Sequence, residues 1–129
     1  MPELNAEEQL DLIESVIKLI KNPTVSALFS ASSLAEVPVS GIIGDRVING
    51  RIDRVSVSDS EVLLIDYKTG CKIPACAEKT PVAYIRQMGA YKELMEQIYP
   101  DKRVRCFLLW TEAPLLTDIT SVIGDTKEY

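Results

Sequence analysis

Apolar side chains recur at helical spacing in two parts of the chain. In residues 6–21 they form one stripe, and acidic residues gather toward the N-terminal end, as is typical of an amphipathic helix. The stripe consists of Leu10, Ile13, Ile17 and Ile20. Residues 82–98 predict a second long helix, which ends before Pro100. Its predicted core stripe consists of Tyr84, Met88, Tyr91, Met95 and Ile98.

The segment after the first helix carries its own start and stop signals. Asn22 is suited to cap a helix and Pro23 to occupy a first turn, so a short helix is predicted over residues 24–29. Ser32 and Ser33 mark a loop.

Runs of β-branched and aliphatic residues predict the strands. These runs cover residues 36–43, 47–57, 61–67, 104–110 and, as a short edge strand, 115–119. The third run is apolar on both faces, which indicates a central strand covered on both sides. The long helix between the third and fourth strands favours parallel pairing of those strands. We therefore predict an α/β fold with a central mixed β-sheet flanked by helices and an αβββαβ core, followed by a frayed polar end.

Composition narrows the class of protein. A chain of 129 residues predicts a single domain with one modest core. The net charge of −5 argues against a free-standing nucleic-acid binder but not against a metal-dependent nuclease, because bound cations reverse the local sign. The sequence has no apolar run long enough to cross a bilayer and no signal peptide. Three cysteines at irregular spacing fit a reducing compartment, so we expect a cytoplasmic protein without membrane contact.

The absence of histidine excludes several kinds of site. Catalysis by Ser-His-Asp or Cys-His sets, HExxH zinc proteases and mixed Cys/His zinc sites all require this residue. A metal in this chain must therefore bind oxygen atoms, which suit Mg²⁺ or Mn²⁺.

The candidate chemistry lies in the second and third predicted strands. Asp53 lies in the second strand and Asp66 near the end of the third, and a short polar turn over residues 56–60 predicts a hairpin that brings them together. Lys68 follows Asp66 by two residues and therefore shares its face of the sheet. Because charges in such places are costly to desolvate unless they are paired or bind a metal, two interpretations are open. One is a divalent-metal phosphodiesterase site, and the other is a buried Asp–Lys ion pair.

Three segments carry a resemblance to a known family. They read Gly50-Arg-Ile-Asp53-Arg, Ile65-Asp66-Tyr-Lys68-Thr and Gln87-xxx-Tyr91. Together they resemble the RecB-type branch of the PD-(D/E)XK nuclease superfamily, with a closer match to the C-terminal nuclease region of AddA-type helicase–nuclease subunits. The later segments Tyr99-Pro100 and Leu108-Leu-Trp110-Thr111 extend the similarity. It covers residues 35–119, and residues 1–34 then form a helical lead-in.

The resemblance implies a restriction-endonuclease-like fold and a role for each motif residue. Asp53 and Asp66 would bind Mg²⁺ or Mn²⁺ together with the backbone carbonyl of Tyr67. Lys68 would polarise the scissile phosphate or orient the attacking water. Gln87 would lie near the metal or its water, and Tyr91 would contact DNA.

The resemblance also implies a biological role. The activity would be that of a metal-dependent DNA exonuclease domain within an ATP-binding helicase–nuclease that processes double-strand breaks for recombination repair. DNA and an AddB-like subunit would be its partners.

Some of these residues also have simpler interpretations. Tyr91 fits a core residue as well as a DNA contact, and Gln87 fits a helix-surface residue. Glu36 is expected to be a solvated acid at a strand end, and Arg51 and Arg54 are expected to pair with nearby acids. The cysteines Cys71, Cys76 and Cys106 are too few for the four-cysteine iron–sulfur cluster of some relatives and are expected to be ordinary thiols.

Two features of the family pattern are missing. RecB-type nucleases usually carry a metal-holding histidine on a helix before the first strand, and this chain has none. It also lacks a phosphate-binding helicase loop ending in Gly-Lys-Ser/Thr. These departures suggest a fragment of a longer chain, and they keep open the alternative of a non-catalytic nuclease-fold module for DNA docking or subunit assembly.

Overall fold

The computed structural model describes residues 5–29 and 33–124. Its helices are α1 (Ala6–Lys21), α2 (Pro23–Leu28), α3 (Val82–Ile98) and α4 (Thr120–Ile123). Its strands are β1 (Ser33–Ile43), β2 (Arg46–Val57), β3 (Glu61–Lys68), β4 (Arg103–Trp110) and β5 (Leu115–Asp118). A 3₁₀ turn over Ala77–Lys79 lies in the connection between β3 and α3. None of the helices in the described part of the chain is long and apolar enough to cross a membrane.

Asparagine side chains begin the first two helices. The Glu8 amide donates to Asn5 Oδ1 at 2.8 Å, and the Thr24 amide donates to Asn22 Oδ1 at 2.9 Å. Each bond satisfies an amide that has no partner within its helix. Pro23 occupies the first turn of α2, so the predicted cap and start at this point are confirmed.

The strands form one mixed sheet in the order β1-β2-β3-β4-β5. β3 and β4 run parallel, since α3 connects them as a crossover, and the other neighbouring strands are antiparallel. The predicted α/β fold with a central mixed sheet and flanking helices is therefore confirmed. β1 begins at Ser33, where the sequence predicted a loop, because this residue already pairs with Ser56 of β2.

The central strand β3 is covered on both faces, as predicted. Val62 and Leu64 face the larger core, which contains the buried residues of α3 and α4. Leu63 and Ile65 face a smaller cluster with Leu28 and Phe107. Alternate side chains of a strand point to opposite faces, so an uninterrupted apolar run marks a strand buried on both sides.

The apolar stripes predicted for α1 and α3 differ from the faces of these helices that the structure buries. The whole stripe predicted for α1 is exposed, and the helix contacts the remainder of the fold through its half-buried side, which includes Leu12 and Leu19. In α3, Ile98 is 58% exposed, whereas Ile85 and Leu94 are buried. The buried face of α3 is therefore rotated from the predicted stripe, because contact with the sheet, rather than hydrophobicity alone, selects it.

The chain after β5 is more ordered than predicted. α4 follows directly, and Ile119 and Ile123 are buried in the larger core. Their four-residue spacing places both on one face of a helical turn. Because the residues between them are mostly polar, this spacing is not apparent as an apolar run in the sequence. The last part of the predicted frayed end, residues 125–129, lies outside the described residues.

Candidate active site

The ends of β2 and β3 bring two carboxylates together. Backbone pairing between these strands runs from Val57–Val62 to Arg54–Ile65. Beyond that pair, the Tyr67 amide donates to Asp53 Oδ2 at 2.8 Å. The side chain of Asp53 thus continues the connection between the strands, and it stands beside Asp66 as the hairpin register predicted.

Asp66 is the buried member of the pair. It is 7% exposed, and this burial is the largest influence on its pKa, which is raised above the ordinary 3.8. Lys68 acts in the opposite direction, and the neighbouring Asp53 raises the pKa further through hydrogen bonding and charge repulsion. Two carboxylates and one ammonium therefore share a poorly hydrated site in which the acidic charge is incompletely compensated.

Lys68 is held between a carboxylate and an aromatic ring. Its Nζ lies 2.7 Å from Asp66 Oδ2 and 4.0 Å from the centre of the Tyr84 ring. The ammonium is attracted by the negative face of that ring as well as by the carboxylate. The lysine side chain is only 14% exposed, so its charge occupies a defined position.

Tyr84 is itself supported on two sides. Its ring packs at a tilt against Trp110, with 6.2 Å between the ring centres. Its hydroxyl donates to Cys71 Sγ at 3.4 Å, and this bond is the largest of the influences that raise the Tyr84 pKa. The sequence placed Tyr84 in a core stripe and missed this contact, although its position three residues before Gln87 on the same helix was a usable signal.

The donor atoms of the site fit a hard divalent cation. Asp66 Oδ2 is buried and forms an ion pair with Lys68 Nζ. The carboxylates of Asp53 and Asp66, with the Tyr67 carbonyl that the family resemblance adds, would form an all-oxygen set, which is the chemistry that Mg²⁺ and Mn²⁺ prefer. Within the described residues, no three His, Cys, Asp or Glu side chains are grouped closely enough to hold a metal. A cation here would therefore need water or phosphate oxygens to complete its coordination.

The two motif residues on α3 lie in different surroundings. Gln87 is exposed on the helix surface. Tyr91 is 7% exposed and packs beneath Gly50, where a Cβ atom would come within 2.7 Å of Tyr91 Cε1. This packing agrees with the interpretation of Tyr91 as a core residue, and its contact with DNA stays a prediction.

The charged residues around Asp53 differ in their contacts. Glu36 lies between the register pairs Ala35–Arg54 and Val37–Ile52, is exposed, and has a left-handed φ of 53°. Arg54 donates to Ser33 Oγ at 2.6 Å and to the Tyr67 hydroxyl at 3.3 Å, and it lies 4.8 Å from the centre of the Phe29 ring. These contacts are with hydroxyl groups and a ring, whereas the sequence predicted contacts with acids. Arg51 is exposed.

The cysteines are free thiols, as predicted. Cys71 is half-buried, Cys76 is exposed and Cys106 is buried. Burial strongly raises the pKa of Cys106, which keeps this thiol protonated and unreactive.

Comparison with known proteins identifies the family. A solved structure, the crystal structure of SSO0001, is similar to this chain with 16% sequence identity and a TM-score of 0.47. The similarity covers 93% of this chain, which spans 65% of the length of that one. A search of curated proteins gave no match. The family model of the PD-(D/E)XK nuclease superfamily matches residues 5–126. This match extends over nearly the whole chain, and the protein belongs to the PD-(D/E)XK nuclease superfamily.

Proposed function

We propose that this domain is a metal-dependent DNA exonuclease of the AddA type, which hydrolyses phosphodiester bonds with Mg²⁺ or Mn²⁺. One observation carries the proposal: Asp66 is buried beside a second carboxylate, Asp53, and only one ammonium, that of Lys68 at 2.7 Å, compensates the two. A structural ion pair needs only one carboxylate for its ammonium. Membership of a nuclease superfamily supports the same interpretation.

Asp53, Asp66 and the Tyr67 carbonyl are the groups that would hold the cation. The cation would supply charge neutralisation at the phosphate and a water of lowered pKa. Lys68 contributes a compact positive charge at a position defined by Asp66 and Tyr84, without exchanging a proton. Gln87 is exposed and accessible to a bound strand, and we propose that it contacts the reacting water.

Tyr84 is proposed as a positioning residue for Lys68. The ring lies against the ammonium, while Trp110 and Cys71 support the ring. Loss of the ring would leave the long lysine side chain free to move away from the phosphate.

The proposed biological setting follows the resemblance. The domain would act in the cytoplasm within a longer helicase–nuclease chain, with an AddB-like partner subunit, and would process double-strand DNA ends for recombination repair. The experiment is a cleavage assay on single-stranded DNA with Mg²⁺, using the 129-residue protein, Asp66→Ala and Lys68→Ala. We expect cleavage by the unmodified protein and a loss of at least about a hundredfold in each variant. Undiminished cleavage in both variants would refute the proposed site.

A second candidate function is a non-catalytic module for DNA docking or subunit assembly. It is favoured by the net charge of −5 and by the finding that, among the residues the structure describes, no third acidic, cysteine or histidine side chain joins Asp53 and Asp66 closely enough to hold a metal. Calorimetric titration with Mn²⁺ separates the two functions, because a nuclease site binds the ion and Asp66→Ala abolishes the binding. Absence of heat at high Mn²⁺ would favour the module.

A further inference from the structure

The connection between β3 and α3 forms a cleft of about 490 Å³, which we call the lysine cleft. Four of its six lining residues are apolar and two are lysines, and none of these six is acidic. The lining consists of Lys72, Ile73, Pro74, Ala75, Lys79 and Pro81. The side chains that line the lysine cleft therefore carry only positive charge.

Both lysines of the cleft present their charge to solvent. The side chains of Lys72 and Lys79 are exposed, and within the described part of the chain neither ammonium group forms an ion pair or a hydrogen bond. Lys68 and Lys92, by contrast, are paired with carboxylates. Glu78 precedes Lys79 in the 3₁₀ turn, but it is exposed and lies outside the lining. Two uncompensated ammonium groups at one cleft fit an anion that carries more than one phosphate.

The lysine cleft lies beside the candidate active site. Lys72 directly follows Cys71, whose sulfur accepts the hydrogen bond of the Tyr84 hydroxyl. The Tyr84 ring packs on the Lys68 ammonium, and the Tyr84 amide donates to the carbonyl of Pro81, which also lines the cleft. Four residues of extended chain span at most about 14 Å, so the Cα atoms of Lys68 and Lys72 are no farther apart than this. A DNA strand with one phosphate at Lys68 therefore has further phosphates within reach of the cleft.

The chemistry of the lysine cleft fits a single nucleic-acid strand. Grooves that bind single strands place cations along the phosphate backbone, and the apolar side chains of Ile73 and Pro74 can contact sugars and base faces. The net charge of −5 does not describe this surface, because the charge is unevenly distributed. Four of the acids lie on α1, at Glu7, Glu8, Asp11 and Glu14.

We propose that the lysine cleft holds the phosphate backbone of the DNA strand next to the bond that is cleaved, with Lys72 and Lys79 each contacting one phosphate. The proposal rests on the proposed function in taking DNA as the occupant. Binding in the cleft itself requires no metal, because the lysines supply the positive charge. The two can therefore be tested separately.

The first test measures binding of a fluorescent oligothymidylate by anisotropy, with a chelator present and over a series of salt concentrations. Lys72→Gln combined with Lys79→Gln should weaken binding by roughly tenfold near physiological salt. The slope of log affinity against log salt should fall by about 1.4, since each lost phosphate contact removes about 0.7 for a single strand. Lys18→Gln combined with Lys21→Gln is the matched control. It makes the same change in net charge at exposed lysines of α1 and should leave the slope unchanged.

The second test uses the unmodified protein. Bound oligothymidylate should protect Lys72 and Lys79 from an amine-acetylating reagent, while Lys18 and Lys21 react at the same rate with and without it. Mass spectrometry of the resulting peptides measures each rate. Both double variants should keep the circular dichroism of the unmodified protein, because all four side chains are exposed.

Several results would overturn the proposal. They are no binding by the unmodified protein, an unchanged salt slope in the cleft variant, an equal fall in the α1 control, and undiminished acetylation of both cleft lysines. Polyglutamate that binds as tightly and protects the same lysines would assign the cleft to an acidic peptide instead. Failure of the proposed function gives a different result. The unmodified protein and Asp66→Ala would then both bind the strand through the cleft, and Mg²⁺ would support no cleavage.

Discussion

Asp53 accepts a hydrogen bond from the Tyr67 amide at 2.8 Å, at the point where backbone pairing between β2 and β3 has ended. This bond ties one proposed metal-binding carboxylate to the peptide unit beside the other, Asp66. The same aspartate therefore holds the two strands together and supplies a charge to the site. A substitution can separate these two contributions.

Replacing Asp53 by Asn is expected to remove activity while preserving the fold. The asparagine keeps an oxygen that can accept from the Tyr67 amide but loses the negative charge. Asp53→Ala loses both, so its free energy of unfolding should fall by about 1 kcal/mol relative to Asp53→Asn. Urea unfolding measures the stability, and DNA cleavage with Mg²⁺ measures the activity. Full activity in Asp53→Asn would show that the charge is not needed.

Replacing Tyr84 by Phe and by Leu tests how Lys68 is positioned. Phe keeps the ring over the ammonium and loses only the bond to Cys71, so cleavage should stay within about threefold of the unmodified protein. Leu removes the ring and should lower kcat by roughly tenfold, with KM for DNA nearly unchanged. If the role of Tyr84 were purely structural, the loss of activity in each variant would follow the fall in its melting temperature. Equal kcat values in the two variants would exclude positioning by the ring.

The pH dependence of stability should differ in sign for two aspartates. The pKa of Asp66 is raised, chiefly by burial, so the folded state holds its proton more tightly than the unfolded state does. The contribution of Asp66 to stability is therefore greatest at low pH and falls as pH rises from 3.8 through the raised pKa. Asp66→Asn has no carboxyl proton to lose at this position. The free energy of unfolding of this variant, measured relative to that of the unmodified protein, should therefore increase as pH rises across that window.

For Asp118 the pKa shift, and therefore the pH dependence of its contribution to stability, has the opposite sign to that of Asp66. Burial alone would raise its pKa, but hydrogen bonds from Thr120 and the nearby Arg105 outweigh burial and lower it. Its contribution is present above 3.8 and is lost as pH falls through the lowered pKa. Asp118→Asn should therefore be less stable than the unmodified protein at neutral pH, and the difference should shrink in acid. Urea unfolding in the presence of a chelator measures both variants, and slopes of equal sign would contradict the assignment.

Adding a methyl group at Gly50 should disturb the packing of α3 on the sheet. A Cβ atom there would come within 2.7 and 2.8 Å of Tyr91 Cε1 and Cζ, in a rigid buried ring. Gly50→Ala is expected to cost about 1–3 kcal/mol of unfolding free energy. At Gly41 the nearest atom is Leu94 Cδ2 at 2.6 Å, the end of a flexible side chain, so Gly41→Ala should cost less. Thermal unfolding of the two variants provides the comparison, and the reverse order would mean that the Tyr91 ring moves freely.

The pattern of apolar and polar residues along the sequence was sufficient to predict most of the architecture. The continuous apolar run of β3 indicated a strand covered on both faces, and the helix after it indicated a parallel neighbour. The polar turn between β2 and β3 placed Asp53 beside Asp66, because hairpin register follows from turn length and alternation. These features depend on residues close in sequence, and the sequence by itself determined them.

Only the tertiary structure decided which helix faces are covered and what surrounds the lysine. Hydrophobicity marks every apolar face of a helix alike, so the sequence could not show that the stripe of α1 stays exposed while Leu12 and Leu19 contact the fold. Nor could it show that Tyr84 reaches Lys68, since the two residues are sixteen positions apart in sequence and only the packing of α3 against β3 and β4 brings them together. The local pattern determined the charges of the site, and long-range packing determined how they are held.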